Sequence, residues 1–397
     1  MRRLKNHLPA LGALLIALTV LTSCEESGIV GSSFVTTDPA ITIDTTQAGQ
    51  IQTEPLVTFS GSKVFAASGR FVDQLFGTYE ATALLNPAML ASTIEIEDDA
   101  EFGLVLRRGG FTGDSTSINR YQIFEVDRRW RANEWKADSV ASLKPGPLLT
   151  FEIANEDSVF IPLPAEWTDR YKGFYELDSD RVAEYNSNMF GFAIVHESGN
   201  RIDYFNTNDS YLYIKNPDVQ GEDPKVPQRA QIRQRATSYE LVEASSMTLP
   251  ANRIEVRNDF SNTGRISFTI NPDDYPERSI SRAEIVLHED VELLNSSLRP
   301  GESRFSNNII RVFELDEDEK NFYVTKDAVV NVQRSSDGRY RINLTSLFNN
   351  ALRAGGREVN LYFISDQDNG IIRPGLFVNQ SDSDRFPQLI ITKINPN

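Results

Sequence analysis

Short apolar runs alternating with polar residues recur along the chain, and they commit it to sheets. Ile266-Ser267-Phe268-Thr269-Ile270 alternates strictly, which places its apolar side chains on one face of a strand. Comparable runs are Phe102–Leu106, Tyr121–Val126, Asp157–Leu163, Phe190–Val195, Tyr211–Ile214, Ala283–Leu287 and Val359–Ile364. Breaks such as Arg108-Gly109-Gly110 and Glu197-Ser198-Gly199-Asn200 bound them, as turns bound strands. Helical signals are few. Glu166 to Glu184 is one, interrupted by Gly173 and aspartates, and Leu344 to Ala354 is a shorter one, with Thr345 as its N-cap and Gly355 as its stop. The expected fold class is all-β with a few short helices.

Cys24 is the single cysteine in 397 residues, so no intrachain disulfide framework exists and burial must hold the fold. Hydrophobic residues at 40% and aromatics at 10% supply the material for real cores. The length suits two domains. Residues 217–229 are polar, carry prolines at 217, 224 and 227, and read as a linker. The blocks on either side share local words: Ile123-Phe124-Glu125-Val126-Asp127 matches Val312-Phe313-Glu314-Leu315-Asp316, and Asn208-Asp209-Ser210 echoes Ser381-Asp382-Ser383. The expected organisation is a signal segment at 1–23, a flexible tether at 24–50, a first β-sandwich at 51–216, the linker at 217–229 and a second β-sandwich at 230–397.

Arg2, Arg3 and Lys5 precede an apolar run from Leu8 to Leu21 that is too short to span a bilayer. A basic start, a short apolar core and small residues at the end are the layout of a secretory signal. Removing residues 1–23, which carry three basic and no acidic groups, takes the formal charge of −16 to −19. Such a charge repels nucleic acid, and no nucleic-acid partner is expected.

Leu21-Thr22-Ser23-Cys24 resembles the lipobox of bacterial lipoproteins. The resemblance implies thiol acylation at Cys24, cleavage before it and acylation of the new amino group, giving the membrane attachment. Glu25-Glu26 resembles the acidic tag that sends some such lipoproteins to the cell surface, which implies an outer-membrane, surface-facing location. In the second block, the order Ile280–Leu287, Arg311–Leu315, Tyr340–Thr345 with its helix, and Arg385–Ile391 resembles DNRLRE-type jelly-roll domains. The first block is a looser version, with Trp130 and Glu134-Trp135 where that family carries a tryptophan-bearing loop. Most of residues 60–397 also resembles an uncharacterised family of β-sandwich lipoproteins, through Gly69–Gly77 ahead of the first sandwich. Both resemblances imply two tandem antiparallel jelly-roll-like sandwiches.

Chemistry-bearing patterns are sparse. His196 and His288 each sit at a strand end, and there is no cysteine beyond Cys24 to complete a zinc site. No G-x-S-x-G turn supports a serine nucleophile. Asp366-Gln367-Asp368-Asn369-Gly370 spaces oxygens as calcium loops do but lacks the distal glutamate, and reads as a polar turn. Acid runs such as Glu95–Asp99 and Asp316–Glu319 read as solvated loops, leaving a carboxylate-pair glycoside hydrolase as the weakest alternative. Trp130 and Trp135 are the candidate ligand-binding aromatics, whose flat faces suit sugar rings. Asp138-Ser139-Val140 and Asp157-Ser158-Val159 resemble a short O-glycosylation acceptor motif. The expectation is a non-catalytic, lipid-anchored binding or structural protein without metal or cofactor. Its ligand is expected to be a polysaccharide or, alternatively, another protein of an envelope or secretion assembly.

Overall fold

The computed structural model describes residues 40–177, 180–221, 223–245, 247–258, 260–275, 280–315, 325–365, 369–379 and 385–395. Of the described residues, 50% are strand and 13% helix. The chain groups into two compact units, 44–391 and the two ends 1–43 with 392–397. Of the ends, only 40–43 and 392–395 are described, and the buried cores of the described residues all lie within 44–391.

The first half contains β1 (Ala40–Gln47), β2 (Ile51–Pro55), β3 (Phe65–Asp73), β4 (Gly77–Pro87), β5 (Glu101–Asp114) and β6 (Asn119–Glu125). It continues with β7 (Leu149–Ile153), β8 (Ser158–Pro162), α1 (Ala165–Tyr175), α2 (Arg181–Asn188), β9 (Phe192–Ser198), β10 (Arg201–Asn206), β11 (Tyr211–Lys215) and β12 (Gln228–Glu243). The second half contains β13 (Arg253–Val256), β14 (Asn262–Ile270), β15 (Arg282–His288), α3 (Val291–Ser296), β16 (Glu302–Ser303), β17 (Ile309–Leu315) and β18 (Thr325–Gln333). It ends with β19 (Arg339–Asn343), α4 (Thr345–Arg353), β20 (Arg357–Ser365), β21 (Gly375–Val378) and β22 (Gln388–Asn395).

Among the described residues the main sheet runs β12-β11-β5-β10-β3-β4-β9-β6-β7, and β12 pairs with β4 as well. The pairings β12-β11-β5-β10-β3-β4-β12 therefore form a closed circuit. In this half, Leu104, Leu106, Ile123, Ile194 and Phe205 pack with Trp167, Tyr171 and Tyr185 of the two helices. In the second half, a five-stranded sheet β18-β17-β20-β14-β2 and a four-stranded sheet β1-β22-β15-β19 contribute to one core. Ile266, Val312, Leu361 and Phe363 meet Ile285, Leu287, Ile342 and Leu389 there, a sandwich-like arrangement of two antiparallel faces.

Strand pairing crosses the stretch 217–229. β2 adds to β14, β16 adds to β5, and β12 runs on from that stretch along β4. A third core joins the halves, with Phe71, Tyr79, Tyr204 and Tyr239 against Phe260, Leu294, Ile371 and Leu376. The Tyr239 and Phe260 rings stack at 5.2 Å and 4°.

Several elements depart from the sequence reading for local reasons. The helix expected over 166–184 is two helices, and Gly173 lies within the first, where open space surrounds it. Thr345 is the first residue of α4 rather than its cap, because its hydroxyl donates to Asn343 Oδ1 at 2.7 Å and accepts from the Ala283 amide at 3.1 Å. Residues 40–47 of the expected tether are strand, with Ile41 and Ile43 exposed. Cys24, Asp366–Asp368, Asp316–Glu319 and Ser381–Ser383 lie outside the described residues.

Candidate functional site

The outer face of β4 and β12 carries the site. Their antiparallel register pairs Glu80 with Glu240, Thr82 with Ser238, Leu84 with Ala236 and Asn86 with Gln234. Alternation puts all eight side chains on one side of the sheet, as two parallel rows running from carboxylates to hydroxyls, then aliphatics, then amides. A long connection from Val126 to Leu143 lies over the middle of these rows. Its Trp130 and Trp135 pack edge to face at 5.6 Å and 72°, and with Val126 and Ala132 they cover Leu84, Ala193 and Ala236.

The two tryptophans are thus packing residues. Trp130 is 7% exposed and Trp135 9%, so neither offers a ring face to a sugar. Trp130 Nε1 donates to the Phe190 carbonyl at 2.9 Å, which satisfies the indole as it enters the interior. Trp167, Tyr121 and Tyr171 are more deeply buried still.

The cover leaves an opening at each end. Beyond Ala137, a groove of about 460 Å³ is lined by Glu80, Thr82, Asp138, Ser139, Val140, Leu143, Val195, Ser238 and Glu240, among others. The Ala137 carbonyl accepts from the Tyr239 amide at 2.8 Å, and the Ser139 carbonyl accepts from the Ser238 hydroxyl at 2.5 Å, which ties the wall of the groove to β12. Asp138 and Ser139, of the first acceptor-like triplet, line this groove, whereas Ser158 of the second stands exposed on β8. At the opposite end, a polar pocket of about 180 Å³ is lined by Asn86, Arg129, Trp130, Asn186, Phe190, Arg233 and Gln234. Arg233 Nη1 donates to the Asn186 side-chain amide oxygen, Oδ1. The charged residues of the groove are all acidic and those of the pocket all basic.

Other ionisable groups of the interior are held in networks. Arg201 and Asp203, both fully buried, pair at 2.9 Å, while Tyr121 Oη donates to the same carboxylate at 2.6 Å and Asn119 Nδ2 at 3.2 Å. Burial raises the Asp203 carboxyl above its ordinary value, opposed by the Arg201 charge. Burial and the Asp203 charge push the Tyr121 hydroxyl well up. Glu289, raised by burial and opposed by Arg334, accepts from Arg334 and from Tyr340 Oη. His196 faces the Gly199 carbonyl at 3.2 Å, and burial lowers its imidazole, as it lowers that of His288. The two histidines lie on different sheets, and among the described residues no group of three or more His, Cys, Asp or Glu is placed to hold a metal.

Sequence reasoning passed over Glu80, Glu240, Arg129 and Arg233. The period-two spacing of 80, 82, 84 and 86, and of 234, 236, 238 and 240, was present in the chain, but nothing local says that these two rows are neighbours.

No protein-family model matches this chain, and no curated protein does. Among solved structures it is aligned with the structure of infectious bursal disease virus Gt strain at 8% identity and a TM-score of 0.11, covering 91% of this chain and 82% of that one. The structure of T=1 particles derived from the same virus aligns at 10% identity and a TM-score of 0.09, covering 91% and 79%. Similarity this low carries no argument about fold or role.

Proposed function

We propose that this chain is a lipid-anchored protein of the outer membrane, facing the cell surface, with a non-catalytic role in binding another protein of the envelope. The anchor rests on Leu21-Thr22-Ser23-Cys24 and the basic-then-apolar segment ahead of it. Two or more acyl chains on Cys24 give stable attachment where a single chain holds only marginally. Glu25-Glu26 supports the surface orientation. The two sheets that share one core in the second half support a jelly-roll-like sandwich there, fused to the first half rather than tethered to it.

The observation that carries the binding role is the uncovered end of the β4/β12 face. There the apolar side chains Val140, Leu143 and Val195 stand beside carboxylates that form no ion pair among the described residues, in a groove of about 460 Å³. Val140 is 90% exposed, a cost in water that contact with a partner removes. A polysaccharide reading draws on the opposite pocket, whose amides and two guanidinium groups suit the hydroxyls and carboxylate of an acidic sugar.

Cys24→Ser tests the anchor. The variant is expected to lose fatty-acid labelling and membrane retention while keeping its β-rich circular dichroism; retained labelling overturns the anchor. Protease shaving of intact cells tests the orientation, and full protection of the chain overturns surface exposure. An array of acidic glycans separates the two ligand classes, since strong binding there moves the role from protein to polysaccharide.

A further inference from the structure

Antiparallel neighbours of like charge destabilise a sheet, and a free-standing fold gains nothing by keeping them. Glu80 and Glu240 are such a pair, directly opposite on β4 and β12, with Cβ atoms on the order of 5 Å apart for that geometry. Neither makes an ion pair or a side-chain hydrogen bond among the described residues. Arg70 stands opposite Glu80 on its other side, on β3, yet it forms no ion pair within 4.0 Å among the described residues and does not line the groove. His196 lies near both and is lowered by burial, with the Glu80 charge opposing. Asp138 on the wall adds a third carboxylate to the same opening, and no basic residue lines it.

Apolar surface completes the groove. Val195 continues the floor from Thr82, and Val140, Ala141 and Leu143 form the wall. A site with an aliphatic length and an anionic end is complementary to one kind of group, a cation on an aliphatic stem. We propose, building on the protein-binding role above, that this groove receives an arginine or lysine side chain presented by a partner polypeptide. The stem lies along Val140, Leu143 and Val195, and the cationic head sits between Glu80 and Glu240 with Asp138 at the rim. Occupation turns the like-charge repulsion of the free protein into two charge-assisted hydrogen bonds, so the unfavourable pair is a binding device.

Methyl-resolved NMR of the full chain tests this, reading Val140, Leu143 and Val195 as acetyl-Leu-Arg-Leu-amide is added. The matching peptide with citrulline, which keeps the shape and removes the charge, is the control. The expected result is saturable shifts with the arginine peptide, weakened about tenfold for the citrulline peptide and for Glu80→Gln with Glu240→Gln. Asp138→Asn, a single change on the wall, serves as the second variant and is expected to weaken binding less. The double variant is expected to melt no lower than the parent, since it relieves repulsion. Equal response to both peptides, or undiminished binding by the double variant, overturns the proposal. Calcium chloride that shifts the same methyls and blocks the peptide assigns the groove to a divalent cation and also overturns it. A photo-crosslinking residue at Val140 in cells separates this from the broader role. Crosslinks to a protein that persist in the double variant leave the partner reading standing and remove the basic side chain, whereas an absence of protein crosslinks removes the partner itself.

Discussion

Arg304 grips the Asp73 carboxylate through Nε and Nη2, each at 2.8 Å, across 231 positions of chain. The side chains are 6% and 1% exposed, and the same Asp73 oxygen accepts from the Leu75 and Phe76 amides at 2.9 and 3.2 Å. One residue thus shapes the β3–β4 turn and pins the second half of the chain to it. Arg304→Met is expected to lower stability by about 3–5 kcal/mol, because it strands a buried carboxylate. Urea unfolding monitored by tryptophan fluorescence measures this; a loss below about 1 kcal/mol contradicts the joint.

The Arg201–Asp203 pair predicts a pH dependence. Burial raises the folded Asp203 carboxyl, so its contribution favours the fold below the unfolded value of about 3.9 and is lost as pH rises through the folded value. Arg201→Met removes the charge that opposes this rise. The variant is expected to be about 3–5 kcal/mol less stable at pH 7, with the deficit shrinking as pH falls toward about 4. Melting temperatures of parent and variant across that window decide it, and a constant deficit goes against the assignment.

Trp130→Ala is expected to cost about 3–5 kcal/mol, since it empties the packing between the cover and Leu84 and strips the Phe190 carbonyl of its donor. Trp130→Phe, which keeps an aromatic ring, should cost less. A Trp130→Ala protein of unchanged stability but lost glycan affinity would restore the ring to a binding role.

Two glycines predict opposite signs. Gly69 on β3, at φ +139°, faces Ile202 of β10, and a Cβ there would lie 2.1 Å from the Arg201 carbonyl oxygen. Gly69→Ala should destabilise by about 2–4 kcal/mol through strain and backbone overlap. Gly173 lies in α1 with nothing within 4 Å of a Cβ. Gly173→Ala should therefore stabilise by about 0.5–1 kcal/mol. Thermal melts of the two variants moving in the same direction would refute the contrast.

Strands were legible wherever their own residues alternated. Tyr121–Val126 appears as β6, Ile266–Ile270 as the end of β14, and Ala283–Leu287 within β15. β4 and β12 were not, because β4 is buried almost throughout and β12 carries a run of arginines and glutamines that reads as polar coil. The tryptophan-bearing loop was legible, but that Trp130 and Trp135 pack over Leu84 and Ala236 was not, because sequence says nothing of what lies beneath a loop.

By itself, the amino-acid sequence determined that this chain builds β-sheet and, with one cysteine, forms no intrachain disulfide. Those properties follow from side-chain period and residue type, which are local. Only the tertiary structure decided that Glu80 would face Glu240, that Asp73 would meet Arg304, and that Trp130 would be sealed against Leu84. Each depends on strand register between segments far apart in the chain, and register is set by the whole core settling at once.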